Sequence, residues 1–289
     1  MRMCNRAVFA ALLSVGVVFG GNAALAFDPD RVIGVEQEPR SVLRYGVDAL
    51  RDGRTDDAIG AFRHGAVQNH LPSQWKLARM YQQGVGLRRD DLAAFELFQA
   101  IADRYAEKAP TRIEQPYVAH AVVAVGLYRL NGIDGTYVLP NPRLAEHLLF
   151  RAAALYKSDE AQFQLGYLYA GNTLGTPRPK RAARWLELAS RKGHPEAQAM
   201  LGEMLFYGMG IRRNRVKGLV YLTRAAANGK IERLREARLK AFSLASSKQR
   251  DAADKIISRL SPSQPSTASA AVPQTQVFGF QASTPEVSE

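Results

Sequence analysis

The sequence predicts an all-α fold: a right-handed α-solenoid of about five helix-turn-helix repeats, closed by a C-terminal capping helix. The stretch "EAQFQLGYLYAGNTLG" at residues 160–175 returns 36 residues later as "EAQAMLGEMLFYGMGI" at 196–211. In both stretches apolar residues recur at i, i+3, i+4 and i+7, which is the spacing of one face of an amphipathic helix. A fixed period of about 20 to 50 residues is typical of solenoids, in which each unit buries its apolar face against its neighbours.

Each repeat carries a small residue in its first helix and a turn-forming residue six positions later. The small residues are Ala78, Gly126, Gly166 and Gly202, and the turn-forming residues are Gly84, Gly132, Asn172 and Gly208. We expect the small residues where a second helix approaches closely. Glycine and asparagine tolerate the positive φ that often ends a helix, so the second set is expected at helix C-termini.

The second helix of each repeat follows this turn, at residues 91–103, 143–155, 180–193 and 216–229. A looser copy of the pattern at 42–66 supplies the first repeat. Residues 107–116 and 133–142 are rich in turn formers and are expected as loops inserted between helices. The charged run 230–260 is expected as one helix, whose polar faces suit the end of a solenoid.

The two ends of the chain differ in composition from the repeats. Residues 1–26 combine two arginines, an apolar run and the triplet Ala24-Leu25-Ala26, which predicts a secretory signal peptide cleaved before Phe27. An uncleaved membrane anchor is the alternative, although the run is shorter than a spanning helix requires. We expect residues 27–40 as an N-terminal extension, 41–260 as the repeats with their capping helix, and 261–289 as a disordered tail rich in Ser, Pro, Thr and Ala.

Charge and cysteine content narrow the function classes. The chain has a formal net charge of +12 and one cysteine, Cys4. Cleavage of the signal removes Arg2, Arg6 and Cys4, which leaves a charge of +10 and no thiol for a disulfide, a metal site or a nucleophile. A basic exported protein can bind an anionic membrane surface, an acidic polysaccharide or an acidic protein surface, whereas nucleic acid is not an expected partner.

Motifs for catalysis and cofactor binding are not found in the sequence, which has no HExxH, GxSxG or phosphate-binding loop. Histidines can respond to acid near neutral pH. The five histidines show no ligand-like spacing, so no metal site is expected; they are His64, His70, His120, His147 and His194. We therefore predict a protein that is not an enzyme, with no catalytic residues, no metal and no cofactor.

Arginines and lysines cluster before the second helix of several repeats. We expect these basic residues to bind the partner: Arg88, Arg89, Arg178, Lys180, Arg181, Arg212, Arg213 and Arg215. Corresponding loops of a solenoid line up along one edge, so the clusters predict a positive ridge. Such a ridge either attracts an acidic partner or anionic lipid, mainly by raising the association rate, or is a solvated edge without a function.

The pattern A-x-x-x-L-G-x-x-Y/L-x-x-G/N, followed by A-x-x-W/Y-L-x-x-A-x-x-x-G, resembles Sel1-like repeats, which are close relatives of tetratricopeptide repeats. The resemblance covers residues 73–229. The copies around Ala78 and Gly126 depart from the pattern, because Ala78 stands in place of glycine and because long loops are inserted. The signal, the "FDP" at 27–29, the few repeats, the cysteine-free mature chain and the polar tail are together similar to the ExoR family of periplasmic negative regulators of exopolysaccharide synthesis.

The second resemblance implies a periplasmic binding protein that represses an ExoS-like membrane sensor kinase, of the ExoS/ChvI type of two-component system. The periplasmic domain of that kinase is then the partner. Proteolysis at an exposed loop would end repression, which makes a periplasmic protease a second partner. Two other functions stay open: a carbohydrate- or cell-wall-binding solenoid without a regulatory role, and a cell-wall or β-lactam hydrolase. The sequence does not indicate the oligomeric state.

Overall fold

The computed structural model describes residues 38–228 and 231–260, which form twelve helices and no strands. The helices are α1 (Pro39–Arg51), α2 (Thr55–Val67), α3 (Leu71–Gln83), α4 (Asp91–Arg104), α5 (Gln115–Asn131), α6 (Pro142–Ala154), α7 (Asp159–Ala170), α8 (Pro179–Arg191), α9 (Pro195–Tyr207), α10 (Arg215–Asn228), α11 (Glu232–Ser243) and α12 (Ser247–Leu260). Helices α1 to α10 pair as five hairpins, and each hairpin packs against the next. The predicted all-α solenoid of five helix-turn-helix units is confirmed. The predicted signal peptide at 1–26 and tail at 261–289 lie outside the described residues.

The end of the solenoid differs from the prediction. The sequence predicts one capping helix over 230–260, whereas the structure has two helices, α11 and α12, which both pack on α10. Ser246 and Gln249 form a capping box that begins α12. The Gln249 N–H donates to Ser246 Oγ at 3.3 Å, and the Ser246 N–H donates to Gln249 Oε1 at 3.1 Å. Residues 231–260 contain neither glycine nor proline, so the sequence does not reveal the helix break.

Glycines in the first helices allow the two helices of a unit to pack closely. A Cβ atom built on Gly166 would lie 2.6 Å from the Leu186 side chain. One built on Gly202 would lie 2.8 Å from the Leu222 side chain and 3.1 Å from the carbonyl oxygen of Gly218. Because protein interiors are close-packed, a larger residue at either position requires the neighbouring helix to move.

Three of the four first helices are followed by a glycine with positive φ at the predicted position. These glycines are Gly84, Gly132 and Gly208, with φ of 68°, 75° and 80°. The prediction for Asn172 is wrong, because Asn172 does not have positive φ. In this unit α7 ends four residues after its small residue, whereas the other three first helices end five residues after theirs. Gly171 follows α7 with φ of −88°, and the positive φ of 91° occurs at Gly175. Extended backbone at Gly171 suits any residue, so the turn does not require glycine there.

Buried glutamines join consecutive units. In three first helices a glutamine lies four positions before the small residue and donates its side-chain amide to a carbonyl oxygen in the last turn of the preceding hairpin. The bonds are Gln74 to Ala66 (3.3 Å), Gln162 to Ala153 (3.3 Å) and Gln198 to Ser190 (3.1 Å). A buried carbonyl without a partner costs about 1–3 kcal/mol, which accounts for the glutamine in both copies of "EAQ".

Candidate interaction surface

The eight predicted basic residues, which we call the basic edge, lie in the loops before α4, α8 and α10 and in the first turns of α8 and α10. The same backbone bond fixes each loop, since the residue before the second helix donates its N–H to a carbonyl oxygen near the end of the first helix. The bonds are Asp90 to Tyr81 (3.0 Å), Arg178 to Tyr169 (2.7 Å) and Asn214 to Leu205 (2.8 Å). The three loops therefore take equivalent places in their units.

The basic edge is divided into two parts. A Cβ atom built on Gly210 would lie 2.3 Å from the Pro179 side chain, so the loop before α10 lies against the start of α8. This contact brings six of the eight residues onto two adjoining loops. Arg88 and Arg89 lie two units away, and the intervening loop at 132–141 carries the exposed Asp134. The loop at 132–141 therefore lies between the two parts of the basic edge.

Four residues of the basic edge have side-chain contacts within the chain. Arg89 bonds to Asp91 at 2.8 Å, and this hydrogen bond raises the pKa of its guanidinium. The guanidinium groups of Arg178 and Arg181 lie 5.8 and 6.0 Å from the ring centre of Tyr169. The guanidinium of Arg215 lies 5.1 Å from the ring centre of Phe206, and it donates to a carbonyl oxygen at the end of α11. These four side chains support the fold as cation–π and ion-pair groups.

The other four residues of the basic edge, Arg88, Lys180, Arg212 and Arg213, are exposed. None of them forms an ion pair or a side-chain hydrogen bond with another residue in the described part of the chain. Exposed cations of this kind contribute little to folding, but they remain available to an anionic partner. The sequence does not distinguish these four from the other four.

A second surface runs along the first helices of successive units. We call it the first-helix stripe, and it consists of the residues two before and one after each small residue: Lys76, Arg79, Ala124, Leu127, Gln164, Tyr167, Met200 and Glu203. On a helix these positions lie about 100–160° from the small residue, and therefore away from the second helix of the same unit. Tyr167 is 39% exposed, and most of the others are half-buried. The sequence analysis did not single out this stripe.

The two ends of the stripe carry opposite charges. At the α3 end, the cationic groups of Lys76 and Arg79 lie 5.8 and 5.1 Å from the ring centre of Trp75. Burial lowers the pKa of Lys76, and the charge of Arg79 acts in the same direction. At the α9 end, burial raises the pKa of Glu203, and Arg233 and Lys240 offset only part of that effect. Both shifts have the same cause, since each charge is partly removed from water.

An open cavity of about 620 Å³ adjoins the stripe over α5. Its lining includes Ala124 and Leu127 of the stripe, together with Arg89 and Asp91 at the start of α4. The Tyr128 hydroxyl closes one wall by donating to Asp91 Oδ1 at 3.0 Å. The cavity therefore lies where the stripe meets one part of the basic edge, and both apolar and charged side chains line it.

Two of the histidines have strongly different surroundings. His194 is 8% exposed, its ring stacks on Phe163 at 4.6 Å, and its Nε2 lies 3.2 Å from Glu160 Oε2. Burial lowers the pKa of His194, but the hydrogen bond and charge of Glu160 outweigh burial and leave the pKa raised. A raised pKa contributes stability that is present at low pH and lost as the pH rises through the folded-state value.

His120 responds to pH in the opposite direction. Its ring packs against Trp75 at 5.3 Å and Phe98 at 5.4 Å. Burial lowers its pKa to about 4, with the charge of Arg79 acting in the same direction and Glu160 opposing. The folded state therefore binds a proton less readily than the unfolded state does, and this residue destabilises the fold as the pH falls below 6.5.

We expect His120 to reduce the free energy of unfolding by up to about 3 kcal/mol between pH 6.5 and pH 4. Denaturant unfolding at pH 7 and pH 4.5 measures this loss, and His120→Gln should show a smaller loss because it cannot take up the proton. His147→Gln is the matched control, since His147 is exposed. Equal losses in wild type and His120→Gln would contradict the assignment.

Within residues 38–228 and 231–260, no three His, Cys, Asp or Glu side chains converge as metal ligands would. A separate search of the same residues finds no helix that is both long and apolar enough to cross a membrane. Two of the histidines bond to nearby side chains, His64 to Gln68 (3.0 Å) and His70 to Ser73 (2.9 Å).

Comparison with known proteins identifies the repeat type. The family described as Sel1 repeat matches residues 71–104, 119–156, 159–194 and 195–230. These ranges follow the hairpins α3–α4, α5–α6, α7–α8 and α9–α10. A solved structure of a Sel1 repeat protein from Oxalobacter formigenes is similar in fold, with a TM-score of 0.57 and 21% identity over 77% of this chain and 88% of that chain.

Two curated proteins are similar in sequence. The chain is 33% identical over 219 residues to a protein named exopolysaccharide production negative regulator from Rhizobium meliloti (strain 1021), which covers 76% of this chain and 79% of that protein. It is 33% identical over 181 residues to the protein of the same name from Rhizobium leguminosarum bv. viciae, which covers 63% of this chain and 67% of that protein.

Proposed function

Because this chain belongs to the Sel1 repeat family and is related to the rhizobial exopolysaccharide production negative regulators, we propose that it represses exopolysaccharide production by binding another protein. The sequence relationship to the regulator of Rhizobium meliloti is the observation that carries the proposal. A solenoid of stacked hairpins suits this role, because it presents extended surfaces whose side chains can vary without loss of the fold.

The proposed partner is the periplasmic domain of an ExoS-like membrane sensor kinase. The exposed cations Lys180, Arg212 and Arg213 would meet an acidic surface on that domain and speed the encounter. Repression then requires only binding, so the chain would act without catalysis and without a cofactor.

The proposal places the protein in the periplasm, after cleavage of residues 1–26. Amino-terminal sequencing of the stable protein is expected to begin at Phe27, since a small-x-small triplet directly precedes it. Recovery of Met1 on the stable protein would contradict export with cleavage.

Loss of the protein would start signalling, and the loop at 105–114 is a candidate site for a periplasmic protease. Ile113 in this loop is 82% exposed. The loop is also anchored, because Glu114 accepts hydrogen bonds from the Tyr105 hydroxyl (2.7 Å) and the Thr111 N–H (2.8 Å). A cut here would separate the second unit from the third, and each half would lose the contacts between neighbours that stabilise a solenoid.

Deletion of the gene tests the proposal directly. We expect exopolysaccharide output to rise in the deletion strain and to return to the original level when the full chain is supplied. A chain that lacks residues 1–26 should not restore repression, because it would stay on the wrong side of the inner membrane. Unchanged exopolysaccharide output in the deletion strain would contradict the proposed function.

A further inference from the structure

We propose that the second helices of the third and fourth units bind the surface of an anionic phospholipid membrane. The contact surface, which we call the second-helix patch, lies on α6 and α8. It consists of three apolar residues and two flanking arginines: Phe150, Trp185, Leu188, Arg143 and Arg184. None of these residues belongs to the basic edge or to the first-helix stripe. The inference goes beyond the proposed function and does not rest on it.

The two helices of each of the last three units carry opposite charge. The second helices α6, α8 and α10 contain nine arginines and lysines and two acidic residues, whereas the first helices α5, α7 and α9 contain one arginine and four acidic residues. An anionic surface therefore attracts the second helices of these units and repels the first helices.

The two acidic residues of these second helices already have cationic neighbours. A carboxylate oxygen of Glu146 lies 3.9 Å from the guanidinium of Arg178. A carboxylate oxygen of Glu187 lies 3.4 Å from the guanidinium of Arg191 and 3.7 Å from Nζ of Lys217. The remaining arginines of α6 and α8 are therefore in excess over the acidic residues of the same helices.

Arg143 and Arg184 belong to this excess. Both side chains are exposed, and neither forms an ion pair or a side-chain hydrogen bond with another residue of the described part. The second helix of the preceding unit, α4, instead exposes the acidic residues Glu96 and Asp103. An anionic membrane would thus bind α6 and α8 in preference to α4.

An apolar group lies between the two arginines. The rings of Phe150 and Trp185 meet edge to face with their centres 5.8 Å apart, which joins α6 to α8. Phe150 is 50% exposed and Leu188 is 42% exposed. Arg143 lies seven residues before Phe150 and therefore on the same side of α6. Tryptophan, phenylalanine and leucine beside arginines are typical of helices that lie in the membrane interface.

Two other occupants fit this patch less well. A second copy of the chain would place arginine opposite arginine across a two-fold interface, and like charges oppose such a contact. An acidic polysaccharide would pair with the arginines, but Leu188 offers it no polar group, and Trp185 is half-buried against the edge of another ring. A phospholipid surface supplies phosphates for the arginines and acyl chains for the apolar side chains.

Tryptophan fluorescence in the presence of vesicles tests the inference at the patch itself. The mature chain contains two tryptophans, the buried Trp75 and the half-buried Trp185, so Trp75→Phe and Trp185→Phe each leave a single tryptophan. Vesicles of phosphatidylcholine and phosphatidylglycerol at low salt should shift the emission of Trp185 to shorter wavelength, and brominated phospholipid should quench it. The emission of Trp75 should not change. Vesicles of phosphatidylcholine alone should bind about tenfold more weakly or less.

Charge reversal of the two arginines tests the electrostatic part. Arg143→Glu/Arg184→Glu is expected to lower the affinity for the anionic vesicles about tenfold or more at low salt, and the difference from wild type should shrink at high salt. Lys255→Glu/Arg259→Glu makes the same change of net charge at exposed positions of α12 and should retain most of the affinity. Vesicle sedimentation measures both, and circular dichroism confirms that each variant is folded.

Removal of one apolar contact tests the other part. Leu188→Gln is expected to lower the affinity about fivefold at low and at high salt, because an apolar contact is not screened by ions. Leu239→Gln is the matched control, since Leu239 is exposed on α11 outside the patch.

The inference would be overturned if the mature chain did not bind the anionic vesicles at low salt. Binding that leaves the emission of Trp185 unchanged would also overturn it, because the lipid would then contact another surface. If Trp75→Phe does not fold, the difference between the spectra of wild type and Trp185→Phe gives the same result.

Two further outcomes would contradict the choice of phospholipid or of this patch. Polygalacturonate that shifts the emission of Trp185 as much as the vesicles do would show that the patch binds acidic sugars. Equal losses of affinity in the arginine variant and in its α12 control would show that only net charge matters. A chain that represses normally but does not bind vesicles would overturn this inference alone, and a deletion without effect on exopolysaccharide would leave the vesicle result standing.

Discussion

Gly202→Leu is expected to destabilise the solenoid by about 3 kcal/mol or more, because the added side chain overpacks the contact between α9 and α10. The Leu222 side chain would lie 2.8 Å from a new Cβ atom, and the Gly218 carbonyl oxygen would lie 3.1 Å from it. The second obstacle is backbone, so a change of rotamer cannot relieve it. Thermal unfolding followed by circular dichroism measures the effect.

Gly171→Leu is the matched control for this variant. Gly171 has φ of −88°, and a Cβ atom at this position would meet only the Tyr167 carbonyl oxygen at 3.7 Å, which is an ordinary contact. The control should therefore unfold close to the wild-type temperature. A Gly202→Leu chain as stable as the Gly171→Leu chain would show that α9 and α10 do not pack through Gly202.

The double variant Arg212→Glu/Arg213→Glu is expected to weaken binding to the sensor kinase domain by about tenfold or more at low salt, because it replaces two cations of the basic edge with anions. Helicity should not change, since both side chains are exposed and neither has an ion pair or side-chain hydrogen bond with another described residue. The difference from wild type should shrink at high salt, where charges are screened. Titration of the purified domain at two salt concentrations measures both effects.

Lys255→Glu/Arg259→Glu provides a control with the same change of charge. Both residues are exposed on α12, and neither belongs to the basic edge. If this control weakens binding as much as the variant in the loop before α10, the effect comes from net charge alone. Arg215 is left unchanged in the test because its contact with Phe206 supports the fold.

The sequence predicts the repeats well because each hairpin makes the same helix contacts as the next, and equal contacts require equal residue types. Gly166 and Gly202 occupy equivalent positions, and each allows a close helix contact that a larger side chain would block. The same residue types at the same spacing therefore indicate the same close contact between the two helices of each unit. The 36-residue period of the last units is visible in the sequence for this reason.

The remaining features depend on contacts between residues far apart in the chain. Nothing in the sequence around Arg89 separates it from Arg88, yet only the first is held by Asp91 in the structure. The stripe was not predicted, because Lys76 and Glu203 come together on one surface only when the hairpins stack. The break before α12 was missed because Ser246 and Gln249 are ordinary residues of a charged helix until their capping bonds form.

Autophosphorylation of the sensor kinase tests the central claim most directly. The kinase is reconstituted in lipid nanodiscs, and its autophosphorylation rate is measured with and without the mature chain. The account predicts that the chain lowers the rate in a saturable manner, and that Arg212→Glu/Arg213→Glu requires a higher concentration for the same effect. An autophosphorylation rate that does not change at any concentration of the folded chain would contradict repression through this kinase.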